Sequence, residues 1–312
     1  MPSLPTSARI REVGPRDGFQ NEPEVIATAQ KVELIDALAG TGLRRLEVTS
    51  FVRPDVIPQL ADAEQVLAAI EVPADVSVTV LIPNERGLDR ALALRESANR
   101  ERPVFDEVNV FLSASETHNR HNVNRSIADS LAGLERVLAR ARDAGLRCEG
   151  VISTSFGCPY EGEVPAERVL GIAAALRDAG AQEVGFGDTT GMANPRQVRS
   201  FFELAREQLK DVELTAHFHN TRGQGLANVL AALEAGVDSF ESSFGELGGC
   251  PVPAGATGNI ATEDLVSMLE EMDIETGIDL QALLVCSQQV QEVLGRTLGS
   301  HTLVAGPVEW HR

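Results

Sequence analysis

The stretch VELTAHFHNTRGQGLANVLAALEAG, residues 212–236, contains the kind of unit that decides the fold class. Its first eight residues are rich in Val, Thr, Leu and Phe and are predicted to form a strand, and a helical pattern follows them. The same strand-then-helix unit recurs on both sides of this stretch. The predicted strands are 8–14, 44–51, 76–83, 107–114, 148–155, 183–188, 212–219 and 239–244.

The segments between the strands show the spacing of apolar residues that is typical of helices. Ile127, Leu131, Leu134 and Leu138 recur on one helical face, and Gly180 follows a helical segment as a C-cap does. Eight short-linked units in about 270 residues predict an α/β fold, one closed (β/α)8 TIM barrel over residues 1–312 with an additional C-terminal helix at about 277–298. An open doubly wound sheet is the alternative, but no GxGxxG motif follows the first strand.

The composition is that of an acidic protein with a sizeable core. Hydrophobic residues make up 43% of the chain and aromatic residues only 4%, so we expect a core of Val, Ile, Leu and Ala. A formal net charge of −19 argues against a nucleic-acid partner, which needs a basic face. The four cysteines are widely spaced, no apolar run is long enough to span a membrane, and the N-terminus lacks a secretory core. We therefore expect a cytoplasmic protein with no membrane partner and no disulfide framework.

In barrels of this kind the chemistry lies at the carboxyl ends of the strands. Arg16 and Asp17 follow the first strand, in a turn where Asp17 can alternatively bond only its own backbone. Glu47 lies inside the apolar second strand, where burial of a carboxylate is costly unless a cation or hydrogen bonds satisfy it. Arg16 at the neighbouring strand end is such a cation, and an outward Glu47 paired with a helix cation is the alternative.

His217 and His219 form a His-x-His pair at the end of the seventh strand. Because residues two apart on a strand share a face, both imidazoles are predicted to converge at the barrel mouth. With a carboxylate such as Asp17 they predict a hard-metal site. Two histidines that are only hydrogen-bonded at a strand end remain the alternative.

Asp188 and the segment GELGGCPVPAGATGNIATEDLV, residues 245–266, follow the sixth and eighth strands. Asp188 either belongs to the site or caps the next helix. The segment is flexible at its paired glycines and carries the thiol of Cys250, so it either closes over a substrate or simply joins two elements. Its helix is predicted to start near Thr262.

The loop after the fourth strand carries further polar side chains. Asn122 and Ser126 lie where they can reach a ligand, although Ser126 can instead only cap the next helix. His118 and His121 are expected to be solvated loop residues.

Six ordered segments together resemble the hydroxymethylglutaryl-CoA lyase family, over nearly the whole chain. They are GPRDGFQNEP (14–23), LEVTSFVRP (46–54), GCPYEG (157–162), GDTTGMANP (187–195), HFHNTRGQGLAN (217–228) and LGGCPVPAGATGNIATEDLV (247–266). The first strand and the His-x-His pair also occur in the wider family of acyl-CoA synthases, whereas the GGCP and GNxATEDL segments narrow the resemblance to the lyases.

The resemblance implies a role for each matching residue. The implied ligands of one Mg²⁺ or Mn²⁺ are Asp17, His217, His219 and Asn259. The implied catalytic residues are Arg16, Asp17, Glu47, His217 and Cys250. The implied substrate or CoA contacts are Arg16, Gln20, Asn122, Ser126 and Asp188. Arg16 would stabilise the enolate oxygen, Glu47 would organise the site, and Cys250 would take part in proton transfer.

The activity implied by the resemblance is cleavage of (3S)-3-hydroxy-3-methylglutaryl-CoA to acetyl-CoA and acetoacetate, in leucine degradation. The residues suit this retro-Claisen chemistry, because Asp17 can take the tertiary hydroxyl proton and Arg16 can stabilise charge on the thioester oxygen. Cys250 is a candidate proton source for the enolate. Since relatives are commonly dimers, a homodimer or higher homo-oligomer is expected.

The chain also departs from the family pattern. The departures are Pro23, Asn220, Arg222, Glu246 and Val252–Pro253. They leave the substrate open, with citramalyl-CoA or a longer 3-substituted glutaryl-CoA as alternatives. An acetyl-CoA-dependent synthase is disfavoured by the GGCP segment and by the lack of a regulatory domain after the barrel. A non-catalytic barrel is disfavoured by the intact set of Arg16, Asp17, Glu47 and Cys250.

Overall fold

Eight parallel strands form a closed barrel in chain order, with β8 paired to β1. The computed structural model describes residues 4–98, 102–249 and 257–310. The strands are β1 Arg9–Glu12, β2 Arg45–Ser50, β3 Ser77–Leu81, β4 Glu107–Ser113, β5 Arg147–Ser153, β6 Glu183–Asp188, β7 Glu213–Phe218 and β8 Ser239–Ser242. The predicted TIM barrel is confirmed. The predicted strands run up to two residues beyond the observed ones at most ends, where chains leave the sheet to form loops.

Helices follow the strands and surround the barrel. They are α1 Thr28–Ala39, α2 Ala63–Ala69, α3 Glu85–Ser97, α4 Glu116–Val123, α5 Ile127–Asp143, α6 Ala166–Asp178, α7 Pro195–Gln208, α8 Gly225–Glu234, α9 Thr262–Glu271, α10 Leu280–Leu294 and α11 His301–Ala305. The additional C-terminal helix is confirmed as α10, within the predicted segment. Among the helices in the described ranges, none has both the length and the apolarity to cross a membrane.

The prediction of a loop around His118 and His121 was wrong, because this segment is helix α4. The side chain of Ser115 caps α4 by accepting a hydrogen bond from the His118 N–H, and Asn124 ends it in a left-handed conformation at φ 54°. His118 is buried, whereas His121 is exposed and stacks on Tyr160. A short polar helix has no apolar stripe, so its spacing gave no signal.

The apolar core lies between the barrel and the surrounding helices. Outward-facing strand residues such as Val108 and Val110 are fully buried there. The core is mainly Val, Ile, Leu and Ala, as expected, and it also contains phenylalanines that pack edge to face at α7. The ring centroids of Phe186 and Phe201 are 5.0 Å apart, and those of Phe156 and Phe201 are 5.1 Å apart.

The interior of the barrel is charged rather than apolar. Arg11 is fully buried and donates to the carboxylates of Glu149 and Glu241. Arg45 donates to Glu183, with 2.9 Å between Nη1 and Oε1. Buried charges are tolerated only when they are paired in this way. These ion pairs fill the end of the barrel opposite the mouth.

Candidate metal and active site

The turn after β1 brings Arg16 and Asp17 to the barrel mouth. Residues Gly14–Gly18 form one π-helical turn, a geometry that is rare and frequent at functional sites. The carboxylate of Glu12 anchors this turn by accepting from its first N–H at 2.7 Å and from the N–H of Phe244 at 3.1 Å. The loops after β1 and β8 are therefore held together beside the two side chains.

Arg16 lies between two carboxylates. Its Nη1 donates to Asp17 Oδ1 at 2.6 Å, and its Nη2 is 2.7 Å from Glu47 Oε2. Burial opposes the charging of Arg16, but the two carboxylates outweigh it and raise its pKa. Glu47 is fully buried and points inward, so the alternative of an outward Glu47 does not hold. Asn109 also contacts Glu47, by donating from Nδ2 to Glu47 Oε1 at 3.0 Å.

The two imidazoles of β7 converge as predicted. The Nε2 atoms of His217 and His219 are 3.0 Å apart. The Nδ1 atom of His217 is 2.9 Å from Oε2 of Glu241 on β8. Burial, together with the neighbouring His217, lowers the pKa of His219 to about 3, so its imidazole is neutral, the form that binds a metal ion.

Asn259 joins this group from the other end of the chain. Its Nδ2 donates to Asp17 Oδ2 at 2.8 Å and to the Leu247 carbonyl at 3.0 Å. Its backbone forms a bridge with His219. The Oδ1 atom is buried and has no hydrogen-bond partner among the residues that the structure describes. An amide oxygen in that state is available to a cation.

The residues present fit a divalent cation. One ligand atom from each of Asp17, His217 and His219 lies within 4.8 Å of the others, and the Asn259 oxygen is a fourth candidate. Oxygen and imidazole ligands are those that Mg²⁺ and Mn²⁺ accept. Burial opposes ionisation of Asp17, but Arg16 and the imidazoles outweigh it and lower its pKa. The carboxylate is therefore charged and ready to bind a cation.

Two further candidates lie beside this group. Gln20 donates from Nε2 to Asp17 Oδ1 at 3.1 Å. Asp188 accepts two backbone N–H groups of the following loop through Oδ1, at 2.8 and 3.0 Å, and its Oδ2 is buried without a partner. Burial raises its pKa to about 7. The cap of α7 is Asn194 rather than Asp188, so the alternative of a helix cap does not hold for Asp188.

The structure does not place the other three candidates, Asn122, Ser126 and Cys250, beside Asp17, His217 and His219. Asn122 is exposed on α4. Ser126 caps α5, with its Oγ accepting from the Asp129 N–H at 3.0 Å. Cys250 lies outside the described residues. The proposed roles of these three residues remain predictions.

Two departures from the family pattern contact each other. The side chain of Asn220 hydrogen-bonds the carboxylate of Glu246. Glu246 adopts φ 62°, a left-handed conformation that favours glycine. Arg222 donates from Nη1 to two carbonyls of the loop after β6, at 2.7 and 2.9 Å. Val252–Pro253 lie outside the described residues, and Pro23 is in the loop before α1.

Sequence reasoning missed Asn109 and Glu241, which hold Glu47 and His217. Asn109 is a polar residue within the apolar part of β4, whereas Glu241 lies in β8, where three of the four residues are polar. The signal that identified Glu47, a polar residue in an apolar strand, also finds Asn109, but it does not single out Glu241.

Fold and site together define a class of protein: a (β/α)8 barrel whose C-terminal face carries a buried site suited to a divalent cation, next to a buried guanidinium. The family model described as HMGL-like matches residues 7–290. The chain belongs to this family.

Individual relatives are similar over nearly their whole length. Hydroxymethylglutaryl-CoA lyase YngG of Bacillus subtilis is 45% identical over 299 residues, which cover 96% of this chain and 97% of the relative. The 3-hydroxy-3-isohexenylglutaryl-CoA/hydroxy-methylglutaryl-CoA lyase of Pseudomonas aeruginosa is 41% identical, over 97% of this chain and 98% of the relative. An HMG-CoA lyase from Acinetobacter baumannii, solved in complex with coenzyme A and 3-methylmalate, matches with a TM-score of 0.90 at 40% identity and covers 100% and 99% of the two chains.

Proposed function

We propose that this chain is a cytoplasmic, divalent-metal-dependent carbon–carbon lyase that cleaves (3S)-3-hydroxy-3-methylglutaryl-CoA to acetyl-CoA and acetoacetate, in leucine degradation. The observation that carries the proposal is the convergence of Asp17, His217 and His219 within 4.8 Å, beside Arg16. Identities of 45% and 41% to two lyases of this kind support the substrate. We propose a homodimer or higher homo-oligomer as the working form.

Asp17, His217, His219 and Asn259 would hold Mg²⁺ or Mn²⁺. When bound, the ion would supply Lewis-acid polarisation and a template for the hydroxyl and a carbonyl or carboxylate oxygen of the substrate. The chain's own residues supply the rest of the chemistry.

Asp17 is the base for the first step. Arg16 keeps its carboxylate charged, so it can accept the proton of the tertiary hydroxyl. The O–H electron pair then forms the carbonyl of acetoacetate while the C2–C3 bond breaks. The electrons of that bond pass to C2 and to the thioester oxygen, giving the enolate of acetyl-CoA.

Arg16 stabilises this developing charge. Its Nε–H is buried and has no acceptor within residues 4–98, 102–249 and 257–310, so it can donate to an enolate oxygen. Glu47 holds the guanidinium in place through a contact of 2.7 Å, and Asn109 holds Glu47 by donating to its Oε1 at 3.0 Å. Protonation of C2 completes acetyl-CoA, and we propose the Cys250 thiol as the donor.

A second candidate keeps the chemistry and changes the substrate. The Pseudomonas aeruginosa relative is named for a longer 3-substituted glutaryl-CoA as well as for the methyl compound, which favours this alternative over others. Citramalyl-CoA belongs to the same group. An acetyl-CoA-dependent synthase is a third and weaker candidate.

The test is an assay of acetyl-CoA release by chelator-treated enzyme, with and without added Mg²⁺ or Mn²⁺. The substrates are 3-hydroxy-3-methylglutaryl-CoA, 3-hydroxy-3-isohexenylglutaryl-CoA and citramalyl-CoA. We expect metal-dependent cleavage, with the methyl compound giving the highest kcat/KM. Failure to cleave any of the three at any metal concentration rejects the lyase proposal. Release of free CoA from acetyl-CoA and a 2-oxo acid instead identifies a synthase.

The Arg16→Gln variant tests the role of the guanidinium. Loss of a donor to the developing oxyanion is expected to lower kcat by roughly 10²–10³-fold. Binding of Mn²⁺ is expected to persist, because Arg16 is not a ligand. Arg53→Gln is the matched control, since Arg53 follows β2 but is exposed and pairs with Asp55. Unchanged turnover in Arg16→Gln contradicts the assigned role.

A further inference from the structure

Glu241 lies directly beside His217, between the candidate metal site and the charged interior of the barrel. The two residues are paired in register on β8 and β7, and Glu241 Oε2 is 2.9 Å from His217 Nδ1. Both side chains are buried. We propose that Glu241, held by Arg11, is a positioning residue that keeps the His217 proton on Nδ1 and leaves Nε2 as the metal ligand. This inference rests on the proposed function.

The other oxygen of Glu241 faces a fixed cation. Oε1 accepts from Arg11 Nη1 at 2.9 Å, and Arg11 has no exposed surface. Arg11 is itself held by Glu149, Glu107 and Glu183. The carboxylate of Glu241 therefore cannot turn away from His217 without leaving a buried guanidinium short of an acceptor.

Only a side chain with two acceptor atoms at position 241 can accept hydrogen bonds from both Arg11 and His217. In metal sites the imidazole N–H that faces away from the ion is usually held by a carboxylate or carbonyl, and this contact fixes the tautomer. A glutamine at 241 has one acceptor and one donor. If its oxygen faces Arg11, its NH₂ group faces His217 Nδ1 and drives the imidazole proton to Nε2, which is the atom that faces His219.

A purely structural role for Glu241 as a partner of Arg11 makes a different prediction. Glu149 is the matched residue, because its carboxylate also binds Arg11 and is buried, but it makes no contact with His217. Glu149→Gln and Glu241→Gln each remove one carboxylate from the same guanidinium. Only Glu241→Gln changes the partner of His217 Nδ1.

The experiment is a Mn²⁺ titration of the full-length chain, followed by the electron paramagnetic resonance signal of the free ion. We expect the Kd of Glu241→Gln to rise about 10–100-fold, as is typical when the partner of a ligating histidine is lost. We expect Glu149→Gln to retain the Kd of the unmodified protein. Thermal unfolding of both variants checks that they are folded. An equal change in the two Kd values overturns the proposal.

A second measurement does not depend on any variant or on metal binding. Long-range ¹H–¹⁵N correlation spectra of the metal-free protein, labelled with ¹⁵N-histidine, report which ring nitrogen of His217 carries the proton. A proton on Nδ1 supports the proposal, and a neutral ring with the proton on Nε2 overturns it, even if Glu241→Gln does not fold. If the unmodified protein binds no Mn²⁺, the metal site of the proposed function fails, while the spectra still decide the role of Glu241.

Discussion

Gly248, in the loop after β8, lies close to the candidate metal site. Its φ is +86°, and a Cβ atom built there would lie 2.6 Å from Asn259 Nδ2 and 3.0 Å from Asp17 Oδ2. The hydrogen bond between Asp17 and Asn259 therefore depends on the absence of a side chain at 248.

We predict that Gly248→Ala weakens Mn²⁺ binding roughly tenfold or more, because left-handed strain of about 1–3 kcal/mol and a direct clash fall on two candidate ligands. Gly145→Ala is the control. Gly145 has a similar φ of +74°, but nothing lies within 4 Å of its Cβ position. Both variants are expected to lose thermal stability, and only Gly248→Ala is expected to lose Mn²⁺ affinity. Equal affinities would show that the contact at 248 is unimportant.

We predict that ionisation of the buried Asp188 carboxyl group makes the free energy of unfolding depend on pH. Burial raises its pKa from 3.8 to about 7, so the folded protein holds a proton that the unfolded chain releases between these values. Stability from this group is therefore highest at low pH and falls as the pH rises through this window. Asp188→Asn removes the ionisation.

We expect Asp188→Asn to match the unmodified protein near pH 4 and to be more stable near pH 8. The difference should be on the order of a few kcal/mol, at ~1.4 kcal/mol per pKa unit. Urea denaturation midpoints at the two pH values measure it. The same change in stability at both pH values would mean that Asp188 does not titrate in this range.

At the scale of single elements, the start of α5 separates two interpretations of Ser126. Its Oγ accepts the Asp129 N–H at 3.0 Å, which is the contact of a helix cap. We predict that Ser126→Ala lowers the free energy of unfolding by about 1 kcal/mol and leaves the KM for the acyl-CoA unchanged. Chemical denaturation and steady-state kinetics provide the two measurements.

The control for Ser126 is Asp279→Ala at the start of α10. Asp279 caps that helix by accepting two backbone N–H groups, and its own N–H bonds the Thr41 carbonyl just before β2, at the opposite end of the barrel from the mouth. It should lose similar stability with no change in KM. A raised KM confined to Ser126→Ala would support the predicted substrate contact instead.

The helices and strands that could be predicted from the sequence are those whose apolar residues recur with a regular spacing. Most of the strands and the helix α10 carry apolar runs or stripes, and the need to bury them made these elements recognisable. Helix α4 has no such stripe, and it forms because Ser115 caps one end and Asn124 ends the other. Capping hydrogen bonds of this kind are harder to recognise in a sequence than the periodic spacing of buried apolar residues.

The site residues, too, were predictable only where the spacing of residues within one segment carries the signal. His217 and His219 were identified because two-residue spacing on a strand fixes their common direction. The meeting of Asp17 with Asn259 was available only through the family resemblance, since these residues are 242 positions apart. Pairing across such separations depends on barrel closure and on register, which spacing within one segment does not encode.

Across the whole molecule, the main surprise is the ionic interior of the barrel. Composition gives the number of charged residues, but not that Arg11, Arg45 and Glu183 lie inside. We predict that Arg45→Met lowers the free energy of unfolding by roughly 3–5 kcal/mol, because it removes the bidentate partner of the buried Glu183 carboxylate, which keeps the longer contacts with Arg11 and Arg147, at 3.5 and 3.1 Å.

Arg44→Met is the adjacent control for Arg45→Met. Arg44 and its partner Asp75 are largely exposed, so loss of this pair should cost less than about 1 kcal/mol. Denaturant unfolding curves of both variants provide the comparison. Similar losses for the two variants would mean that the interior pairs contribute no more than surface pairs.

The hydrogen bond from Asn259 to Asp17 also limits when the site can form during synthesis. Its two partners are 242 residues apart, so Asp17 leaves the ribosome well before Asn259 does. Until the last strand and the residues up to 259 have emerged, a nascent chain has the histidines but cannot assemble the full ligand set. The full set of candidate ligands is therefore complete only after residue 259 has been synthesised, and a product terminated before that residue would lack it however well its remaining units folded.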